Sequence, residues 1–124
     1  MNFFNFRRAG KSFIYAFRGL RSAWKREQNF RFHIIAAIIV LITAIFLRMS
    51  RTDFLFLLIL ICSVLILELV NTVFERLIDI LKPRIHQYSK EIKNISSAIV
   101  LLAAIFSVLS GIIIFYPYIC EFFQ

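Results

Sequence analysis

The acidic residues on one predicted helix face are the part of this sequence best suited to chemistry. The segment ELVNTVFERLID spaces Glu68, Asn71, Glu75 and Asp79 at intervals of three, four and four residues. On a helix they fall within about 90° of one another. Glu68 follows an apolar run, at or just inside a membrane boundary, where an ionisable group is usually functional. Snorkelling to water, or pairing with an arginine, is the structural alternative for this residue.

A divalent cation would relieve the repulsion within this face. Glu75 and Asp79 lie one helical turn apart, an arrangement of like charges that destabilises a helix by a few tenths of a kcal/mol. Mg²⁺ prefers hard oxygen ligands and commonly takes one or two carboxylates together with phosphate oxygens. Glu75 suits this role, and Glu27, the only acidic residue in the N-terminal part of the chain, can supply a second carboxylate. A surface salt bridge with a nearby arginine is the alternative for Glu27.

Basic residues before the last apolar segment supply the positive charge that phosphate groups require. His86 and Lys93 belong to the stretch KPRIHQYSKEIKN, which follows the acidic face in sequence. A lone histidine such as His86 is more often structural or interfacial than catalytic. The chain has neither a GxxxxGK[ST] loop nor a GxGxxG turn, so no soluble nucleotide-binding fold is indicated.

The elements that must position these residues are helices in a membrane. Of the 124 residues 60% are apolar, against about 45–50% in soluble domains. Apolar segments at 30–49, 54–70 and 95–116 predict three transmembrane helices. The third carries no charge and reaches about 33 Å as a helix, enough for a hydrocarbon core about 30 Å thick. The predicted fold class is an all-α membrane protein of one domain, with a helical extension at 71–82 and a cytoplasmic loop at 83–94.

The N-terminal segment 1–29 is predicted to be an amphipathic helix on the membrane surface. Phe13, Phe17, Leu20 and Trp24 recur at helical spacing among basic residues. This pattern is typical of a helix that lies in the lipid headgroup region.

The distribution of charge orients the predicted spans. The net charge is +8, and every Lys and Arg except Arg48 and Arg51 lies at or before residue 31 or between 71 and 94. By the positive-inside rule, the N-terminus and 71–94 are cytoplasmic, whereas the connector between the first two spans and the C-terminus lie outside. This asymmetry explains the basic surplus, so we expect no nucleic-acid partner.

Two motifs resemble a known family of enzymes. The E-x-N-x-R-x-H pattern in EQNFRFH and the segment ELVNTVFERLID are similar to the small prokaryotic integral-membrane lipid kinases, the diacylglycerol kinase and undecaprenol kinase family. The resemblance extends roughly from Arg8 to Ile114, and the first motif looks more like the undecaprenol kinase branch. It implies a homotrimer in the bacterial cytoplasmic (inner) membrane, with active sites shared between three-span subunits. The implied reaction transfers the γ-phosphate of ATP to a hydroxyl of undecaprenol or diacylglycerol.

The resemblance also implies roles for individual residues. Glu68 matches the catalytic base, and Glu27 and Glu75 match ligands of Mg²⁺. The positions that match the nucleotide site are Arg8, Lys11, Tyr15, Asn71, Asp79, His86, Lys93 and Asn94. Glu68, Asn29 and Arg31 are the residues expected near the lipid.

One position departs from the family pattern. Asn94 stands where the family has an acid after the lysine, and an amide neither balances a lysine nor binds a metal as strongly as a carboxylate. Altered activity is therefore an open alternative, as is a non-catalytic membrane scaffold that binds lipid or nucleotide. A cation channel is disfavoured, because the third predicted span has no charged residue to line a pore.

Overall fold

A computed structural model of the chain describes residues 3–124 and is built from α-helices. Met1 and Asn2, which belong to the predicted surface segment, lie outside the described residues. The first helix, α1 (Phe6–Arg26), begins after Asn5, whose side-chain oxygen accepts a hydrogen bond from the Arg8 backbone N–H at 3.1 Å. Such a cap satisfies one of the unpaired N–H groups at a helix start. The helix ends at Arg26, and the next residue, Glu27, has an extended backbone.

The apolar face of α1 has no partner within the described chain. Phe13, Phe17, Leu20 and Trp24 are all exposed, and Ala23 is the only buried residue of the helix. An exposed apolar face bordered by basic residues is typical of a helix that binds a lipid surface. The position of α1 therefore agrees with the predicted amphipathic helix, although the helix is shorter than 1–29.

The second helix, α2 (Gln28–Phe46), follows α1 after a single non-helical residue. It ends before a tight turn in which Arg48 has a φ of 54°. This left-handed conformation disfavours a residue with a side chain. The next helix begins after Ser50, whose hydroxyl accepts a hydrogen bond from the Asp53 backbone N–H at 3.2 Å.

The third helix, α3 (Arg51–Phe122), is interrupted only at Ile85, where φ is −118° and ψ is 23°. Pro83 lies just before the interruption and lacks the N–H of a regular helical bond. We call 51–84 the first arm of α3 and 86–122 its second arm. The predicted loop at 83–94 is therefore wrong as a description of the backbone, since these residues are helical on both sides of Ile85.

The two arms of α3 lie antiparallel and contact each other along their length. The Tyr118 hydroxyl donates a hydrogen bond to Asp53 at 2.6 Å, and the Ser96 hydroxyl donates one to the Asn71 amide oxygen at 2.6 Å. Lys93 forms an ion pair with Asp79 nearer the interruption. Each contact joins an early residue of one arm to a late residue of the other, as a helical hairpin requires.

Both α2 and α3 are long and apolar enough to cross a membrane. A straight helix of the 72 residues of α3 would extend about 108 Å, several times the hydrocarbon thickness. Folding α3 back at Ile85 gives two arms of more suitable length. The fold is all-helical in the described residues, as predicted, whereas the number of spans and the homotrimer stay predictions.

A polar contact at the end of the hairpin distant from Ile85 predicts a stability effect. The Tyr118 hydroxyl accepts a hydrogen bond from the Ser50 N–H at 3.0 Å and donates to the Asp53 carboxylate. We expect Tyr118→Phe to lower the free energy of unfolding in detergent by about 1–3 kcal/mol, because a hydrogen bond to a charged group is lost. Tyr116→Phe, at an exposed tyrosine, is the control. Equal thermal unfolding of both variants and the wild type would contradict this role.

Candidate functional site

Glu68 lies in the interior of the helical bundle. It is only 3% exposed, although it carries an ionisable carboxyl group. The Nε2 atom of His33, on α2, lies 3.8 Å from one carboxyl oxygen of Glu68, which is beyond hydrogen-bonding distance. The backbone carbonyl of Glu68 accepts a hydrogen bond from the Thr72 hydroxyl at 3.0 Å. Glu68 is therefore fixed on α3 with its side chain directed toward α2.

Asn71 contacts both the second arm of α3, through Ser96, and the carboxylate of Glu75. Its amide oxygen accepts the hydrogen bond from Ser96, so its amide nitrogen points the other way and donates to Glu75 at 3.4 Å. Asn71 and Ser96 are both buried, whereas Glu75 is partly exposed. The buried amide thus holds the Glu75 carboxylate at the boundary between interior and solvent.

Glu27 is the single residue between α1 and α2, and its backbone is extended. Its N–H donates to the carbonyl of Ala23 at 2.8 Å and its carbonyl accepts from the Arg31 N–H at 3.2 Å, so both helices fix its backbone. Its Oε1 atom lies 3.6 Å from the Nη2 atom of Arg76, the residue after Glu75. Glu27 is therefore brought to the helical turn that carries Glu75.

Three carboxylates gather in this region. Glu75 lies about two helical turns from Glu68 on the same face of α3, and Glu27 contacts Arg76, the residue after Glu75. Among residues 3–124, no three His, Cys, Asp or Glu side chains are grouped so that protein atoms alone could hold a metal ion. Two partly exposed carboxylates nevertheless fit Mg²⁺ that arrives with phosphate oxygens, because such sites use one or two protein carboxylates.

Lys93 and Asp79 form the next layer toward Ile85. Their ion pair joins the two arms, with Asp79 largely exposed and Lys93 partly so. Lys93 therefore has a carboxylate partner even though its neighbour Asn94 is neutral and exposed. His86 is exposed and adjacent to the interruption, and its carbonyl accepts a hydrogen bond from the Ser89 hydroxyl at 3.0 Å. His86 and Asn94 are thus on the same arm as Lys93, open to solvent.

The N-terminal candidates lie at the opposite end of α1 from Glu27. Arg8 and Lys11 line a shallow surface pocket together with Asn5 and Arg7. The ring of Tyr15 lies under the Arg18 guanidinium, whose central carbon is 5.8 Å from the ring centroid. Arg8 and Glu27 are separated by about 28 Å of helix. No ion pair of the described residues joins these candidates to the carboxylates.

Apart from Glu68, the two residues expected near the lipid, Asn29 and Arg31, differ in their surroundings. Asn29 is exposed on the first turn of α2. Arg31 donates two hydrogen bonds to the end of α1, to the carbonyl of Trp24 at 2.8 Å and to that of Lys25 at 3.0 Å. These carbonyls lack partners within their own helix, so the guanidinium caps α1.

An apolar groove leads toward Glu68. It has a volume of about 610 Å³, within the range of about 300–1,000 Å³ typical of small-molecule sites. Its walls come from α2 and both arms of α3, and include Ala36, Val64 and Ile112. His33 lines the groove and also faces Glu68, while Val64 precedes Glu68 by one helical turn. The groove is therefore an apolar path that approaches the buried carboxylate.

Comparison with known proteins assigns the chain to a family. A family model described as prokaryotic diacylglycerol kinase matches residues 14–115, most of the chain. The chain belongs to the prokaryotic diacylglycerol kinase family. This membership confirms the predicted resemblance and indicates a lipid kinase, a phosphotransferase with an alcohol group as acceptor.

Three relatives illustrate the range of this lipid kinase family. The undecaprenol kinase of Bacillus subtilis is 34% identical over 107 residues, which cover 86% of this chain and 87% of the relative. The diacylglycerol kinase of Escherichia coli is 29% identical over 113 residues, or 91% and 93% of the two chains. The diacylglycerol kinase of Helicobacter pylori (strain 26695) is 35% identical over 102 residues, or 82% and 79%. The matches cover nearly whole chains of relatives with two different lipid substrates in their names.

Two residues of the kinase's candidate site were missed by the sequence analysis. Ser96 appeared there only as part of an uncharged apolar segment, and Arg76 as one of several cytoplasmic basic residues. The signal for Arg76 is its position directly after Glu75. No spacing rule indicates that Ser96 faces Asn71, because these residues belong to different arms.

The hydrogen bond between Ser96 and Asn71 predicts a defect that extends to Glu75. We expect Ser96→Ala to leave the kinase folded but to weaken its apparent affinity for Mg²⁺. The Mg²⁺ concentration at half-maximal rate should rise about tenfold. The reason is that the Asn71 amide loses its orientation, and outer-shell partners of metal ligands contribute about 10–100-fold to metal affinity or activity.

The matched control is Ser63→Ala, which removes a hydroxyl bonded to the Ile59 carbonyl of its own helix at 2.7 Å. This variant should retain the wild-type Mg²⁺ dependence. A Ser96→Ala protein with unchanged Mg²⁺ dependence would show that the Asn71 amide needs no orientation from the second arm.

Proposed function

We propose that this chain transfers the γ-phosphate of ATP to the hydroxyl of a membrane lipid, undecaprenol or diacylglycerol, at the cytoplasmic face of the bacterial inner membrane. The observation that carries the proposal is the buried Glu68 carboxylate, which faces His33 in the wall of an apolar groove and shares one face of α3 with the partly exposed Glu75. A lipid kinase needs both an apolar approach for its acceptor and a charged surface for its donor. These two environments meet at Glu68.

Glu68 is the proposed base that takes the proton of the lipid hydroxyl. Its burial excludes bulk water, which would compete with the lipid as acceptor. A general base must come within hydrogen-bonding distance of the proton it removes, so the hydroxyl would lie at the His33 end of the groove. Phosphoryl transfer depends mainly on positioning and on charge stabilisation. The residues around Glu68 are suited to both tasks.

Glu27 and Glu75 are the proposed ligands of Mg²⁺, which when bound would neutralise charge on the ATP phosphates. Asn71 orients the Glu75 carboxylate through its amide, and the Lys93–Asp79 pair borders the same face of α3. Asp79, His86, Lys93 and Asn94 are proposed to line the nucleotide site. In this arrangement, the second arm of α3 provides cations and the first arm provides carboxylates.

The N-terminal candidates fit an assembly of several copies better than a single chain. Arg8, Lys11 and Tyr15 lie near the far end of α1, distant from Glu27 of the same chain. We propose a homotrimer of three-span subunits in which α1 of one subunit extends toward the nucleotide of a neighbour. The N-terminus and 71–94 would face the cytoplasm, in keeping with their basic residues.

The groove favours a lipid acceptor without selecting one. Its walls are almost wholly apolar, and hydrophobic surfaces discriminate weakly between hydrocarbon chains. The names of the relatives include both undecaprenol kinase and diacylglycerol kinase. Asn29 and Arg31, on the first turns of α2, are proposed to lie near the lipid headgroup.

A phosphorylation assay tests the proposed function. Purified protein in detergent should transfer labelled phosphate from Mg-ATP to undecaprenol or to diacylglycerol. We expect Glu68→Gln to lower the rate at least about a hundredfold, because general base catalysis typically contributes about 10²–10⁴-fold. Thermal unfolding should show that the variant remains folded.

Glu91→Gln is the control, because it removes an exposed carboxylate from the second arm of α3. This variant should keep the wild-type rate on both lipids. A wild-type protein that is as inactive as Glu68→Gln on both lipids would rule out the enzyme.

Asn94, which stands where the family has an acid, favours a second candidate, a non-catalytic membrane scaffold. The Lys93–Asp79 ion pair argues for the enzyme instead, because Lys93 already has a carboxylate partner and an acid at position 94 is then dispensable. We therefore expect Asn94→Asp to change the wild-type rate by less than about fivefold, since an exposed charge pair contributes up to about 1 kcal/mol. An inactive wild type that gains phosphorylation with Asn94→Asp would indicate a degenerate kinase, whereas one that binds nucleotide but gains no phosphorylation would support the scaffold.

A further inference from the structure

Arg76 is the cation at the junction of all three helices. From α3 it contacts Glu27, between α1 and α2, with 3.6 Å separating Nη2 and Oε1. It also donates to the Ser22 hydroxyl of α1, at 3.5 Å from Nη1. Neither contact is explained by the proposed function, in which Glu27 is a ligand of Mg²⁺. The Arg76 guanidinium is therefore paired with a carboxylate that the proposed function requires for another cation.

Both contacts of Arg76 are weak enough to be exchanged. The Arg76 side chain is 43% exposed and that of Glu27 is 26% exposed. Exposed ion pairs contribute little to stability, because water screens the charges. The contact with Ser22 lies at the upper limit of hydrogen-bonding distance. The guanidinium is held in place without being locked.

A divalent cation and Arg76 compete for the same oxygen. An ion with two charges that approaches Glu27 interacts with its carboxylate more strongly than a guanidinium with one charge at similar distance. The displaced guanidinium stays on the turn of α3 that carries Glu75, although consecutive helical residues point about 100° apart. Phosphate oxygens that accompany a cation at Glu27 would then lie close to it. A guanidinium can bind phosphate through two parallel N–H groups.

We propose that Arg76 is a phosphate-binding residue that rests on Glu27 until Mg-ATP arrives. In the nucleotide-free protein, Arg76 balances the Glu27 carboxylate. When Mg-ATP binds, Glu27 turns to the cation and Arg76 turns to the triphosphate. This inference rests on the proposed function, because it requires nucleotide phosphates beside Glu27 and Glu75.

Equilibrium binding of Mg-ATP to the purified full-length protein tests this exchange. We expect Arg76→Gln to weaken Mg-ATP binding at least tenfold and to raise the KM for ATP by a similar factor, with the KM for the lipid unchanged. Binding of Mn²⁺ alone is followed by electron paramagnetic resonance. Mn²⁺ should bind to Arg76→Gln at least as tightly as to the wild type, because its competitor for Glu27 is removed. Arg51→Gln, at an exposed arginine at the opposite end of the same arm, should match the wild type in every measurement.

Arg76→Lys separates the phosphate role from a role in packing α1. Lysine keeps the charge beside Glu27 but lacks the planar fork, so this variant should fold like the wild type and bind Mg-ATP several-fold more weakly. Should Arg76→Gln fail to fold, Arg76→Lys decides alone. Wild-type Mg-ATP affinity in the folded variants would overturn the proposal, even if hydrogen exchange of α1 became faster.

The outcomes also distinguish this proposal from the proposed function. A wild-type protein that phosphorylates lipid, with Arg76 variants of unchanged ATP affinity, contradicts only the role of Arg76. A wild-type protein that neither binds Mg-ATP nor phosphorylates lipid contradicts both.

Discussion

The hydrogen bond from Ser96 to Asn71 is the contact on which the arrangement of this chain depends. Polar groups in apolar surroundings are costly unless they are paired, and in the described residues no side-chain nitrogen or oxygen that is completely removed from solvent lacks a partner. Together with the Tyr118–Asp53 and Lys93–Asp79 contacts, this bond sets the register of the two arms of α3. If the arms slid by one helical turn, Asn71 and Ser96 would both lose their partner. The same bond leaves only the nitrogen of the Asn71 amide to contact Glu75, so the packing of the hairpin and the geometry of the site have one cause.

Electrostatic balance explains how several carboxylates can gather at one level of the bundle. Glu27 is offset by Arg76, and Asp79 by Lys93, while Glu75 receives an amide hydrogen bond. Glu68 has only the more distant His33. Among these four carboxylates, the most buried is therefore also the least compensated.

The sequence predicted well what depends on one helix and poorly what depends on two. The helical character, the amphipathic α1 and the shared face of Glu68, Asn71 and Glu75 follow from periodicity, which is a property of a single segment. The Asn71–Ser96 contact depends on how two arms pack, and no spacing encodes it. The predicted loop at 83–94 was wrong because a proline and a cluster of charges suggest a loop, whereas a change of backbone angles at Ile85 alone suffices to reverse the chain. Glu27 stood out as the only acidic residue of the N-terminal part and also matched the family pattern, but neither signal indicates Arg76, its partner in space 49 positions later.

The position of Glu27 links the site to the amphipathic helix α1. This residue is the only non-helical one between α1 and α2, and Arg31 joins the two helices by capping the Trp24 and Lys25 carbonyls of α1. A shift of α1 relative to α2 must therefore change the backbone at Glu27 or break these bonds. Because one residue joins α1 to the rest of the bundle, the position of α1 and the placement of the Glu27 carboxylate are mechanically coupled.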